Sequence, residues 1–237
     1  MTGTLYGIGL GPGAPDLMTL RAHRMISGAR VIAYPAPDSG ESFARSIAAD
    51  SIPADAVEIP MVVPMRVERF PAQEVYADAA AKIAAHLDTG TDVVVLCEGD
   101  PFFYGSFMYL FARLSETYGV EIVPGVSSLA GCAAALQKPL VARNDVLTVL
   151  PGPLPDDQLR ARIDASDAVA IMKVGRHLSR LKALLADMDL LECAGYVERA
   201  SLENQRVLPL SGADETAPYF SMILISKGSD PWLRPNP

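Results

Sequence analysis

The sequence predicts an α/β protein of two apposed α/β domains, and three observations carry that prediction. Short apolar runs alternate with longer segments of helical period, turn residues recur between them, and the pattern restarts past residue 125 with no long Gly/Ser linker. Strands that alternate with helices make βαβ units, and therefore a parallel sheet.

In chain order, "LYGIGLG" (5–11) reads as a buried first strand. "PDLMTLRAHRMISGA" opens on proline and aspartate and closes at Gly28, the start and stop of a helix. "RVIAY" (30–34) is a second strand, and "AQEVYADAAAKIAAHLDTG" a clear helix with Gly90 just past its end. "DVVVLC" (92–97) and "VEIVPG" (120–125) are further strands. The second half reads as a small-residue helix from Ser128 to about Gln137, a strand "VLTVL" (146–150) and a helix near 156–164. A strand "AVAIMKV" (168–174), a helix near 178–187 and strands "CAGYVE" (193–198) and "YFSMILIS" (219–226) complete it. The expected domains are 1–125 and 126–227, meeting near 124–127, with 228–237 a tail rich in proline.

A chain of 237 residues, half hydrophobic and a fifth charged, buries enough surface to fold without a disulfide or metal, roughly 70% of what it exposes unfolded. A formal charge of −8 argues against nucleic acid or an anionic membrane as the main partner, since either would need a basic surface. Cys97, Cys132 and Cys193 are odd in number and set among small or apolar neighbours, as reduced core residues of a cytoplasmic protein would be. No apolar run approaches the ~18 residues of a membrane span, and no signal peptide is expected. His23, His86 and His177 are far apart, so no metal site is expected, and the absence of a G-x-S-x-G elbow disfavours a hydrolase.

The glycine loops carry the functional signal. In "GIGLGPGAP" (7–15), Gly9, Gly11 and Ala14 fit G-x-G-x-x-A, yet the second strand ends "IAYPAP", without the acidic residue that would hold a ribose. No Gly-Lys-Ser/Thr is present, and Pro12 removes an N–H that a phosphate would want. The loop suits a ligand without phosphates; taken alone, Gly11 to Gly13 could equally be a tight turn. "EGDPFFYGS" (98–106) and "VPGVSS" (123–128) also follow strands, and in a parallel sheet all three would meet at the carboxyl edge. Asp100 either favours a cationic ligand or caps a helix starting near Pro101, and Glu98 reads as a supporting residue. Of Phe102, Phe103, Tyr104, Phe107 and Tyr109, an aromatic cluster that reads as core, Phe103 and Tyr104 lie near enough to the loop to touch a ligand.

Together "GLGPG", "EGDPFFYGS", "VPGVSS", "MKVGRH" (172–177), "YVERAS" (196–201) and "PYFSMIL" (218–224), in that order, resemble the tetrapyrrole methylases. The wording is most like the branch that methylates the C-20 meso carbon of precorrin-2, and the resemblance runs from about residue 4 to 226. It implies the class III methyltransferase fold, with a mainly parallel first sheet, a mixed second sheet, and S-adenosyl-L-methionine folded between the domains. Carried onto matching positions, Pro12, Asp100, Phe103, Ser106, Ser127 and Ser128 would contact the donor. Met172, Tyr196, Val197 and Tyr219 would close around its adenosine.

A proton must leave the methylated carbon, and Glu198 is the candidate base, with the substrate itself the alternative. The implied tetrapyrrole bears many carboxylates, which call for arginine's bidentate fork. Arg45, Arg66, Arg69, Arg143, Lys173, Arg176 and Arg199 lie in or near expected loops, though each could be a solvated surface residue. The family commonly forms homodimers. The alternatives are methylation of another precorrin position or of a protein side chain, a nicotinamide-dependent oxidoreductase, and a non-catalytic tetrapyrrole carrier.

Overall fold

The computed structural model describes residues 1–62 and 70–228. The chain divides into two compact units, Met1–Ser127 and Ser128–Pro237.

The first unit is a five-stranded sheet of β1 (Thr4–Gly9), β2 (Val31–Ala36), β3 (Val57–Val62), β4 (Val93–Cys97) and β5 (Gly119–Val123), in the order β3-β2-β4-β1-β5. Every ladder in it is parallel. A parallel sheet is covered on both faces, which is why β4, "VVVLC", is buried at every position. Val93, Val95 and Cys97 pack with Ile83, Leu87, Leu110 and Leu114 of α3 (Phe70–Asp88) and α4 (Phe107–Leu114). Val94 and Leu96 pack oppositely, with Ala22 and Ile26 of α1 (Leu20–Ser27) and Ala44 and Ile47 of α2 (Phe43–Ile47). Each fully enclosed Leu or Ile here contributes about 1.5–3 kcal/mol of burial.

The second unit is also a five-stranded sheet, made of β6 (Leu147–Pro151), β7 (Ala168–Met172), β8 (Ala194–Glu198), β9 (Arg206–Pro209) and β10 (Ser221–Ser226). Its order is β6-β7-β10-β8-β9; β6 and β7 are parallel and the other three ladders antiparallel. α5 (Ser128–Leu136), α6 (Asp156–Asp164) and α7 (Leu178–Asp187) flank it. A parallel first sheet and a mixed second sheet are the expected fold class.

Local chemistry moved several boundaries. Pro15–Leu17 form only a 3-10 turn, and Met18 is extended. The helix expected from Pro15 starts at Leu20, because the Thr19 hydroxyl accepts from the Ala22 N–H at 3.1 Å and caps it there. β3 was not read from the sequence because Pro60 interrupts its run, and proline is tolerated there because β3 is an edge strand. α2 has five residues, too few for a helical period to show, and the Ser42 hydroxyl starts it by accepting from the Arg45 N–H at 3.2 Å. β9 is a short, mostly exposed edge strand, also unread.

Candidate active site

Main chain builds the edge of the first unit. β4, β1 and β5 are neighbours running one way, so the segments after them leave from one edge. There the Leu10 N–H donates to the Cys97 carbonyl at 2.9 Å. Gly11 and Gly99 exchange hydrogen bonds of 3.2 and 2.8 Å. A Cβ on Gly9 would stand 2.4 Å from the Gly125 nitrogen, and one on Gly125 only 1.9 Å from the Gly99 carbonyl oxygen. No side chain fits at either place, so the glycines of the first and third loops exist to let three backbones meet.

Asp100 locks this junction. One carboxylate oxygen accepts from the Phe102 N–H at 2.9 Å, and the other reaches the Gly125 N–H at 3.1 Å. Residues 101–105 are turns and α4 begins at Phe107, so Asp100 does not cap a helix at Pro101. It ties the second loop to the third instead. Pro12 is half-buried in the first loop. Phe103 is half-buried with its ring edge-on to Tyr104, 5.2 Å away at 87°. Tyr104 is held at φ 57°, a left-handed conformation costly for an aromatic residue. The aromatic cluster is not core as a whole: Phe107 is enclosed, whereas Phe102, Tyr104 and Tyr109 are exposed. The register of α4 decides this, turning Phe107, Leu110 and Leu114 inward and Tyr109 out.

Ser106 occupies the N-cap position of α4 without capping it, and lies near Tyr76, a buried residue of α3 that the sequence did not single out. Glu98, read as a supporting residue, sits partly buried between β4 and the Gly11–Gly99 bridge, and burial raises its pKa above the usual carboxylate range. Ser127 and Ser128 are half-buried, the first ending one unit and the second opening α5.

In the second unit β7 and β8 are each antiparallel to β10 and so run the same way. Their carboxyl ends share an edge with the starts of β10 and β9, which gathers Met172, Lys173, Arg176, Arg199, Arg206 and Tyr219. Lys173 and Arg199 both adopt left-handed backbone, φ 56° and 48°, at a cost on the order of 1–2 kcal/mol each. Arg176 is exposed in the 3-10 turn ahead of α7. Met172 is half-buried beside Met222, and Tyr219 is exposed, with Phe220 edge-on 5.0 Å away.

Several of the expected contacts turn out to be occupied by the protein itself. Tyr196 and Val197 are 0% exposed, leaving no side-chain surface for a ligand to meet. The Tyr196 hydroxyl donates to Glu198 at 2.9 Å; burial, then this carboxylate, raises the Tyr196 pKa. Glu198 also accepts from Arg206 at 3.3 and 3.4 Å, with Arg199 at 3.5 Å. A carboxylate so engaged holds β8, β9 and the turn after β8 together. Arg45 is committed as well: its guanidinium grips Glu58 at 2.6 and 2.8 Å, pulling the Glu58 pKa down to about 2 and raising its own. Arg143 precedes β6, at the sheet edge opposite Lys173. Arg66 and Arg69 lie outside the described residues. Among the described residues no group of three or more His, Cys, Asp or Glu could hold a metal, and no helix is long and apolar enough to cross a membrane.

Comparison with known proteins identifies the family and the fold. The profile of the family described as Tetrapyrrole (Corrin/Porphyrin) Methylases matches residues 4–214. The cobalamin biosynthesis protein CobIJ of Mycobacterium tuberculosis is 44% identical over 235 residues, 95% of this chain. Those residues are 46% of CobIJ, so the chain spans about half the length of that relative. The precorrin-2 C(20)-methyltransferase of a Sinorhizobium species is 38% identical over 237 residues, 96% of this chain and 97% of that protein. The fold matches that of uroporphyrin-III C-methyltransferase from Thermus thermophilus, solved with S-adenosylhomocysteine, with a TM-score of 0.68, 23% identity, and 95% of this chain and 98% of that one covered.

Proposed function

This chain belongs to the tetrapyrrole (corrin/porphyrin) methylases, and on that premise we propose that it transfers the methyl group of S-adenosylmethionine to the C-20 meso carbon of precorrin-2 in cobalamin biosynthesis. The coarser statement, an S-adenosylmethionine-dependent C-methyltransferase acting on a tetrapyrrole of the cobalamin pathway, follows from the family and the relatives. The choice of C-20 is supported by the Sinorhizobium relative, matched over nearly its whole length.

The observation that carries the reading is the junction of Gly9, Gly99 and Gly125, fastened by Asp100. It presents backbone rather than side chains, and no lysine lies in its loops, as suits a ligand with no phosphate. When bound, the donor supplies an electrophilic methyl on a sulfonium cation. This chain's part is to hold the reacting atoms in line, and positioning alone can lower such a barrier by about 7–11 kcal/mol. In the first unit Pro12, Phe103, Ser106 and Ser127 would line the donor, with Asp100 fixing the loops that carry them. In the second unit the family resemblance alone points to Ser128, Met172 and Tyr219 as donor contacts, with Tyr196 and Val197 supporting Met172 from its core.

Lys173, Arg176 and Arg199 would meet the substrate carboxylates, which gives their shared edge and the left-handed backbone of two of them a purpose. Glu198 then anchors Arg199 and Arg206 and does not accept the proton. The homodimer implied by the family belongs to the same reading. The test is incubation with methyl-labelled donor and either metal-free or cobalt-bound precorrin-2. One labelled methyl on C-20 of either form supports the proposal; a methyl on another carbon, or none, refutes it.

A further inference from the structure

Glu198 is 2% exposed, and more positive charge meets it than one carboxylate needs. The Tyr196 hydroxyl donates to its Oε1 at 2.9 Å. Nη1 of Arg206 reaches Oε1 and Oε2 at 3.3 and 3.4 Å, and Nη1 of Arg199 stands 3.5 Å from Oε2. Neither guanidinium turns its fork on the carboxylate. Arg45 shows what a committed pair looks like in the same chain, with Nε and Nη2 each on its own oxygen of Glu58 at 2.6 and 2.8 Å. Arg206 uses one nitrogen, Nη1, for Glu198 and for Asp214, 2.8 Å away. Among the described residues its Nε and Nη2 donate to no protein group. The side chains of Arg206 and Arg199 are 44% and 36% exposed, so their unused N–H groups are open to solvent.

The turn between β8 and β9 fixes where the two arginines stand. Arg199 directly follows β8 and Arg206 opens β9, paired in register with Glu198. Within the turn, Arg199 and Ser201 are left-handed, at φ 48° and 69°. The Arg199 N–H donates to the Phe220 carbonyl at 2.8 Å, and the Leu202 N–H to the Arg199 carbonyl at 3.1 Å. The Ser201 N–H donates to the side-chain oxygen of Gln205 at 2.7 Å. A turn tied at so many points holds its arginines before any ligand arrives, which lowers the ordering cost of binding. The buried anion between them lets two like charges stand together that would otherwise repel.

We propose that Arg199 and Arg206 together clamp a carboxylate side chain of the tetrapyrrole. The inference rests on the tetrapyrrole reading above and adds Arg206, from an edge strand, to the residues that select the substrate. The N–H groups that Glu198 and Asp214 leave unused donate to the substrate carboxylate, in the bidentate manner that guanidinium favours. Lysine, a point charge without a fork, would serve Glu198 and Asp214 as a cation but would grip the substrate carboxylate less well.

Two measurements test it. In the wild-type full chain, phenylglyoxal modification followed by peptide mass spectrometry reads the access to each arginine, and needs no variant to fold. Arg199 and Arg206 are expected to react in the unliganded chain and with S-adenosylhomocysteine bound, and to lose that reactivity with saturating precorrin-2, in whichever of its metal-free and cobalt-bound forms is turned over. In the second, Arg206→Lys keeps a cation beside Glu198 and Asp214 but removes the fork. Its Tm is expected to stay within about 3 °C of wild type while the KM for the tetrapyrrole rises about tenfold, with kcat and the Kd for S-adenosylhomocysteine little changed. A KM equal to wild type, Arg206 modified as fast with the tetrapyrrole as without it, or protection by S-adenosylhomocysteine alone would overturn the inference, while turnover by the wild type leaves the tetrapyrrole reading intact. A wild-type chain that methylates neither form, with no arginine protected by either, would overturn that reading and the inference with it.

Discussion

Gly125→Ala is the sharpest mechanical probe of the loop junction. The new methyl would lie 1.9 Å from the Gly99 carbonyl oxygen and 2.9 Å from the Gly9 Cα, and both obstacles are backbone. The loops would have to separate by about 1 Å, an overpacking that costs about 1–3 kcal/mol. The bond from Gly125 to Asp100 would stretch with them, and a hydrogen bond to a charged group is worth about 1.5–3 kcal/mol. At roughly 2–4 °C per kcal/mol for a chain of this size, the overpacking alone should lower Tm by about 2–12 °C. Donor affinity should fall at least tenfold, because the displaced backbone is the proposed binding surface. Gly99→Ala is the control in kind: φ is 66° but nothing lies within 4 Å of its Cβ, so only backbone strain of about 1–2 kcal/mol is expected. Calorimetric titration with S-adenosylhomocysteine and a thermal melt read both quantities. A Gly125→Ala protein that binds S-adenosylhomocysteine with unchanged Kd would refute the reasoning.

Three other outcomes are expected. The Glu58 carboxyl, held near pKa 2 by Arg45, has its folded-state pKa depressed, so its contribution is present above the ordinary carboxylate range and lost as pH falls toward about 2. Both side chains are partly exposed, which limits the effect to about 1 kcal/mol; denaturant midpoints at about pH 6 and about pH 3 should differ less in Arg45→Ala than in wild type. Glu198→Gln should lower stability by about 1–3 kcal/mol, because it sets an amide against Arg206, while kcat stays within a few-fold; a hundredfold loss of kcat with the fold intact would reinstate Glu198 as the base. Lys173→Asn and Arg199→Asn keep a residue suited to left-handed backbone but remove the charge, and each should raise the tetrapyrrole KM about tenfold and flatten its salt dependence. KM unchanged in both would dismiss them as carboxylate ligands.

The legible parts of the molecule were those whose physics is local or repeated. Apolar runs such as "VVVLC" announced the parallel sheet because both faces of β4 are covered, and the glycine loops stood out because each must follow a strand. What stayed hidden depends on partners distant in sequence. Gly125 is glycine because of Gly9 and Gly99, which no spacing rule reveals. Arg45 looked available until Glu58, thirteen positions on in an unread edge strand, was found gripping it. Tyr196 and Glu198 carry the polarity of site residues but use it on each other and on Arg206, which sequence reasoning passed over. Thr19 was a missed local signal, since a threonine ahead of "LRAHRMIS" is a better N-cap than the proline and aspartate before it.

The most direct test is a crystal structure of the full chain with S-adenosylhomocysteine. The account predicts the ligand lying against the backbone of residues 10–13, 99–103 and 125–127. Those three segments found bare, or filled by a phosphate-bearing ligand in preference to the thioether, would contradict it.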